Sequence, residues 1–503
     1  AQEAALQVQV QDAGGGAPVA GARVAVENAA IGFVRELRTD ANGRAVLNGL
    51  STAGRYRVRA EAPPATGGTP SGTAESAPVV LRSDYTHTVT LTLGATDLDG
   101  VTVTAPRYVA GLNTVNAEVA ASLVRAELDA LPIEGRDLQQ SLVRLPNVVP
   151  STGFFPEAPS ISINGANALF VSWLVDGLDN NENFLGGPKF PVPLGAADSV
   201  SVLANSYSVE FGRTAYGVVN VTSRAAGNEP TAEAYVLSRP GRPLDSRSAF
   251  PRRDLSGNPV GESFERLQYG GALGLPLVAD RTFLYVNAEY TRDVNENVVD
   301  SPALGIAANV TGRNRFLLGS ARLDHRFDER WRGMLRVNRG DVTLERPGGS
   351  LGGGNATFPS AGSEQDRVST LVAGSLVYAG PRFDYEGALA YSGFDWDYGE
   401  ARAAGPQVLA RDPSGLTAAV VGHPGFVFDD RERTWQTTHE LRFGRGAHRF
   451  LLGVDLLSAD FELAGGGNPD GNYVVDLTAA QLQALRGRGL ELAARDVLAL
   501  DPA

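Results

Sequence analysis

Between Phe316 and Trp331 the two parities of the chain differ in character. Leu317, Gly319, Ala321 and Leu323 share one parity, and Ser320, Arg322, Asp324 and Arg326 share the other. After an Asp328-Glu329-Arg330 turn the pattern resumes, with Trp331, Gly333, Leu335 and Val337 set against Arg332, Arg336 and Asn338. Successive residues of a strand point to opposite faces, so these segments have one apolar and one charged face. A soluble sandwich could bury the first face; a membrane barrel would turn it to lipid and the second to a wet lumen. A run of roughly 18 or more apolar residues, the length of a membrane helix, is absent. If the chain enters a membrane it must do so as a closed barrel, the other way to satisfy the backbone in lipid.

Similar strand pairs flank Pro276–Arg281, Gly380-Pro381 and Gly444–His448. Long Gly/Pro/Asn-rich segments separate them: Pro240–Ser263, Asp293–Arg313, Arg346–Asp366, Ala401–Asp429 and everything after Gly465. Short turns alternating with long loops is the asymmetry of outer-membrane barrels, and a soluble sandwich has no need of it. Trp331 beside its turn suits an interfacial aromatic girdle. The pattern yields about nine strands, and an open sheet of that kind would leave a long unpaired edge in lipid. The stretch Ala479–Leu500 reads as helical. The expectation is the N-terminal part of a longer chain. The opening AQEAALQVQV, without an apolar leader, reads as a mature or internal start.

Composition sets outer limits. A chain of 503 residues is long enough for several cores. Its formal net charge of -13 disfavours nucleic acid as the main partner, since phosphate binding needs a basic face. The absence of cysteine removes disulfides and thiolate metal sites.

Upstream of the two-faced segments, Ile161–Arg224 carries three short apolar runs, Phe170–Val175, Val200–Leu203 and Val218–Thr222, bounded by Asn, Gly, Asp and Pro. These read as buried strands of a small mixed domain. A helix is expected over Ala117–Leu131, ended by Pro132, and a second over Asp137–Leu145 with Leu138, Leu142 and Leu145 on one face. The acidic and amide side chains from Asp176 to Asn183 could clasp a Ca²⁺ ion or form a hydrogen-bonded turn; the EF-hand spacing is absent, which favours the turn.

The first 94 residues read as a β-sandwich. Leu6, Val8 and Val10 alternate with glutamines, Val24 and Val26 repeat the pattern, and Asn42-Gly43 lies between extended runs as a hairpin cue. None of His87, His325, His423, His439 and His448 has a Glu three residues on, so the His-x-x-Glu pair of a zinc carboxypeptidase is missing. No catalytic residues, cofactor or metal are expected.

Several phrases carry a resemblance. LPIEGRDLQQSLVRLPNV (131–148), NGA (164–166), LVDGLDNN (174–181) and NSYSVEFGRTAYGVVNVTSR (205–224) resemble the plug domain of TonB-dependent outer-membrane transporters. Those most alike in wording are Oar-like members, which carry a carboxypeptidase-regulatory-like domain in front, and TDANGRAVLNGL (39–50) resembles that domain's hallmark turn and strand. The resemblance implies a mainly β protein: the sandwich over 1–94, a linker over 95–112, a small α/β plug over 113–228, and strands of a large antiparallel transmembrane β-barrel over 229–503, incomplete in this chain. It also implies the outer membrane, with the sandwich in the periplasm, barrel lipid as a neighbour and an extracellular substrate the sequence does not name.

Within that framework, Val101, Thr102, Val103, Thr104 and Ala105 form an alternating β-prone pentapeptide suited to strand addition on a partner's sheet edge. The resemblance makes it the candidate TonB box; the bland alternative is a last sandwich strand. Arg136, Arg213 and Arg224 could pair with carboxylates on the barrel wall or be solvated. Phe394, Trp396 and Tyr398 share one parity and could stack on a substrate ring or serve as girdle. The function implied is TonB-energised import. The alternatives are an adhesin or assembly receptor of the same architecture without import, and a secreted enzyme with an accessory sandwich.

Overall fold

The computed structural model describes residues 4–500 except 14–15, 51–53, 64–71, 82–85, 94–118, 152–160, 206–210, 215, 242–263, 349–355, 381, 403–404, 446–447 and 469. The pentapeptide 101–105 thus lies outside the described residues.

The N-terminal unit is a sandwich of a three-stranded and a four-stranded sheet. The alternating residues Leu6, Val8, Val10, Val24 and Val26 all point into one core, with Leu47, Tyr56, Val58 and Leu91. Asn42-Gly43 is not a hairpin turn. The strand before it, Phe33–Arg38, belongs to the four-stranded sheet and the strand after it, Arg44–Leu50, to the other. Thr39 explains the crossover: its Oγ1 donates to Val19 O at 2.6 Å and accepts from Ala22 N at 2.9 Å, bending the chain across the core before the turn forms.

The second unit is a five-stranded mixed sheet containing Ser172–Val175, Ala197–Asn205 and Val218–Ser223, as the apolar runs predict. Helix Leu138–Leu142 packs Leu138 and Leu142 onto it, with Leu145 and Val148 nearby. The expected helix over Ala117–Leu131 is only half present. Val119–Val124 is an edge strand laddered on Ala197–Asn205, and helix starts at Arg125. An open sheet edge outcompetes helix propensity, which is worth only tenths of a kcal/mol per residue, about 0.7 at most for ordinary residues. Gly217 allows a close approach: its φ is +137°, and a Cβ there would sit 2.8 Å from Ile163.

From Thr231 onward nine strands form one antiparallel sheet in sequence order, from Thr231–Arg239 to His448–Gly467. Among the described residues the two terminal strands do not pair with one another. Its parity is the one read from the sequence. Leu317, Leu335, Val337, Leu389 and Trp435 face outward and are exposed, while Arg336, Asn338, Ser392 and Thr434 point inward and are buried. Trp331, Tyr378 and Phe383 stack on the outer face beside the short turns, with centroids 4.8 and 5.0 Å apart, as a girdle would.

Asp293–Arg313 is not a loop. Strands Thr282–Ser301 and Ile306–Arg326 stay paired to Ser301↔Ile306 and turn only at Pro302–Gly305. At 20 and 21 residues they exceed the roughly 9–11 needed to cross a bilayer. The Asn/Asp-rich stretch is polar because the ladder there has left the apolar band. Likewise Gln407–Arg411, Thr417–Val421 and Asn472–Asp476 form a small sheet, covered by helices Ala479–Leu485 and Ala494–Leu498. Val408, Val421, Leu482 and Val497 make its core, which extends to Val299, Leu304 and Val310 at the tip of the long hairpin.

The sandwich sits at the opposite end, on the short turns. Arg35 donates to Gly380 O at 3.4 Å, Asn48 to Asp384 at 3.3 Å, and Arg326 to Gly32 O. The mixed domain lies between, against the sheet's inner face.

Candidate functional site

The chemistry of the molecule concentrates where the mixed domain meets the inner face of the sheet. Its deepest contact starts from a two-residue hairpin. Val175 pairs with Leu178, and Asp176 and Gly177 turn with φ of 51° and 73°, the left-handed pair that a tight Asp-Gly turn needs. This aims the Asp176 carboxylate at the wall. Oδ2 accepts from Arg336 Nη1 at 2.6 Å, Oδ1 accepts from Ser223 N at 2.7 Å, and the Ser223 hydroxyl donates to Oδ2 at 2.7 Å. Arg322, the register partner of Arg336, lies 3.9 Å from Oδ1 and donates to Ser223 O at 2.8 Å. Asp176 and Arg336 are both essentially inaccessible.

Nearer the small capping sheet is a second contact. Lys189 is the only lysine in the sequence and is fully buried. Its Nζ lies 3.0 Å from Glu432 Oε2 and donates to Thr434 Oγ1 at 3.0 Å and Ser392 Oγ at 3.2 Å. Three acceptors meet three N–H donors, so this ammonium is satisfied without water. Asn183 donates to Glu432 from both its backbone and side chain at 2.6 Å, and Asp179 N donates to Gln436 Oε1 at 2.8 Å. Glu182 folds back on the backbone N–H groups of Phe184 and Leu185. Burial pushes its carboxyl up to about 7, against those hydrogen bonds, and Glu432 adds to the rise.

The arginines singled out from sequence divide. Arg136, at φ 53° after Gly135, lies 3.6 Å from Glu233 and 4.0 Å from Glu289, with its guanidinium 4.1 Å over the Tyr235 ring. Arg224 lies 3.3 Å from the other oxygen of Glu233. Both therefore reach carboxylates on the first strands of the wall. Arg213 does not: it is half exposed and pairs with Asp179 of its own domain at 3.2 Å, beside a cavity of about 800 Å³ lined also by Phe170, Tyr216, Glu440 and Asp455.

Phe394, Trp396 and Tyr398 face inward, so they are not girdle. Phe394 and Trp396 are buried with Phe428 against Phe184 and Leu185, and Arg367 stacks 3.8 Å over Trp396. With that loop in place Phe394 and Trp396 offer no open face. Stacking on a ligand would require the segment Glu182–Leu185 to move.

Residues 5–94 match the carboxypeptidase regulatory-like domain family and residues 112–219 the TonB-dependent Receptor Plug Domain family. The chain thus carries a plug domain of the TonB-dependent receptor type behind a carboxypeptidase regulatory-like domain. The receptor is 24% identical over 147 residues to the TonB-dependent transporter Oar of Myxococcus xanthus, a match covering 28% of this chain and 14% of that protein. Its fold is similar to that of the outer membrane transporter YddB from Escherichia coli, with a TM-score of 0.56 at 13% identity over 71% of this chain and 50% of that one. The receptor thus spans about half the length of the solved transporter it matches. It is an outer-membrane protein, its sandwich on the periplasmic side, the end where the short turns lie.

The plug of the receptor is held by residues that sequence reading missed. In the sequence Asp176 reads as part of a turn or of a Ca²⁺ clasp and not as a wall contact, because Arg336 is 160 positions away. Lys189 went unremarked, though a lone lysine among 44 basic residues is a signal: Arg serves elsewhere, and one position keeps a compact ammonium.

Proposed function

We propose that this receptor imports a substrate across the outer membrane with energy delivered by TonB from the periplasm. In this reading residues 1–94 are a periplasmic module, 95–112 the coupling linker, 113–228 the plug and 229–503 wall. Val101–Ala105 adds as a strand to the edge of a TonB sheet, main-chain hydrogen bonds supplying the grip. Force on that segment reaches the plug directly behind it. No substrate bond breaks, so no residue is assigned acid, base or nucleophile.

The observation that carries the reading is the buried Asp176–Arg336 pair across the plug–wall interface. A buried pair gives little net stability over an apolar contact, yet separating its partners without water is strongly unfavourable. Such a bond holds a plug shut at rest and, once strained and wetted, lets go in a discrete step. Arg136, Arg224 and Lys189 act in the same sense at other points of the interface. When the loop Glu182–Leu185 lifts, Phe394, Trp396 and Tyr398 come to line the opened path, where their rings can stack on a passing substrate.

The test is cross-linking in cells. Val103→Cys is expected to form a disulfide with a cysteine placed on the edge strand of TonB's periplasmic domain, and the chain's lack of native cysteine makes the product unambiguous. Absence of any cross-link at 101–105, with the receptor correctly assembled, would favour the adhesin or assembly reading instead.

A further inference from the structure

Glu182 of the plug and Asp430 and Glu432 of the wall strand Phe426–Arg445 bring one carboxylate oxygen each within 4.8 Å of one another, and all three are buried. Two of the carboxylates are well supplied with donors: Glu432 by Asn183 and Lys189, Glu182 by backbone N–H groups. Asp430 is not. It is 1% exposed, and neither of its oxygens has a hydrogen-bond partner. Its cross-strand neighbour is Trp396, whose Nε1 is also buried without an acceptor.

The charges do not balance. Three carboxylates face one ammonium, Lys189, and even with Arg367 on the face of Trp396 the acids outnumber the cations. A buried, uncompensated carboxylate is strongly unfavourable. The register partner of Asp430, Trp396, packs in one apolar cluster with Phe394 and Phe428.

We propose that Glu182, Asp430 and Glu432 form a divalent-cation site, of the Ca²⁺ class, that pins the plug to the wall. The donor set is all oxygen, with no imidazole or thiolate, which selects a hard cation over zinc or copper. Asp430 has both oxygens available and binds bidentate, a mode that Ca²⁺ accepts in its flexible shell and the strictly octahedral Mg²⁺ resists. Glu432 and Glu182 supply one oxygen each and keep their present donors on the remaining lone pairs. A coordinated water completes the shell and gives the Trp396 indole its acceptor. Because one ligand comes from the plug and two from the wall, the ion bridges two units that import must separate. Its loss would loosen the loop Glu182–Leu185 and uncover the aromatic cluster.

The test uses the detergent-extracted receptor, dialysed against EGTA and titrated with CaCl₂, followed by calorimetry and by thermal melting. The expected result is one saturable site per chain and a melting temperature that rises with Ca²⁺. Asp430→Asn is isosteric and neutral: it is expected to melt no lower than the parent without metal, through relief of charge crowding, and to lose at least tenfold in affinity along with the Ca²⁺-dependent shift. Glu182→Gln is expected to weaken binding as well, while Asp412→Asn, in an exposed turn, retains it. Failure of Ca²⁺ to bind, an undiminished shift in Asp430→Asn, or a larger shift with Mg²⁺ would each overturn the assignment. So would stabilisation by acid alone with no response to Ca²⁺, which would mean that a shared proton balances the cluster.

Discussion

Arg336 Nη1 stands 2.6 Å from Asp176 Oδ2 across the boundary between plug and wall, and both side chains are sealed from solvent. A wall arginine and a plug aspartate thus hold together two units the chain builds separately. Removing one partner leaves the other charged and buried. Arg336→Ala is expected to cost about 3–5 kcal/mol, read as a lower melting temperature and faster proteolysis of the plug. The double change Asp176→Asn with Arg336→Met should recover most of that loss, so a double-mutant cycle with no coupling would contradict the pair's role.

Lys189 makes a sharper case because its ammonium meets three acceptors. Lys189→Met keeps the stem and removes the charge, leaving Glu432 beside Glu182 and Asp430. The expected loss is about 3 kcal/mol or more without added divalent cation. Lys189→Arg is not a conservative replacement here: a planar fork cannot reach the Ser392, Thr434 and Glu432 oxygens together. Chemical denaturation of the purified variants measures both.

Gly217 tests the plug alone. With φ at +137° and Ile163 2.8 Å from where a Cβ would stand, Gly217→Ala is both strained and overpacked. A destabilisation of about 2–4 kcal/mol is expected, with the wall strands unaffected by infrared or circular dichroism. An unchanged melting curve would show that the plug core relaxes freely.

Outward positions obey the other solvent. Leu335 and Leu389 are exposed on the outward face of the sheet. Leu389→Arg is expected to cost about 2–4 kcal/mol in lipid near the bilayer midplane and nearly nothing in a soluble sandwich. Folding yield into vesicles, compared with Leu389→Phe, measures the difference.

Much of this architecture was legible in the sequence because parity is a local property. Leu317, Leu335 and Val337 declare one face whatever the rest of the chain does. The plug strands Ser172–Val175 and Val218–Ser223 were legible for the same reason. What failed was context. Val119–Val124 is a strand only because Ala197–Asn205 offers an edge, and Asn42-Gly43 crosses between sheets because Thr39 ties back to Val19 and Ala22. The Asn/Asp content of 293–301 suggested a loop, where composition reported only exit from the apolar band. The contacts made by Asp176, Asp179 and Asn183 across the interface join residues 160 to 257 positions apart. They depend on the register of eight strand pairings, which local pattern does not specify.

The central claim is that TonB draws the plug away from the wall. Ser392 measures it most directly: it is buried on the wall beneath Lys189, and in a chain without cysteine a Ser392→Cys substitution provides a unique thiol. A membrane-impermeant maleimide should label it in energised cells, and should fail to do so after dissipation of the proton gradient or deletion of 101–105. Labelling that is the same in all three conditions, whether uniformly absent or uniformly complete, would contradict the account.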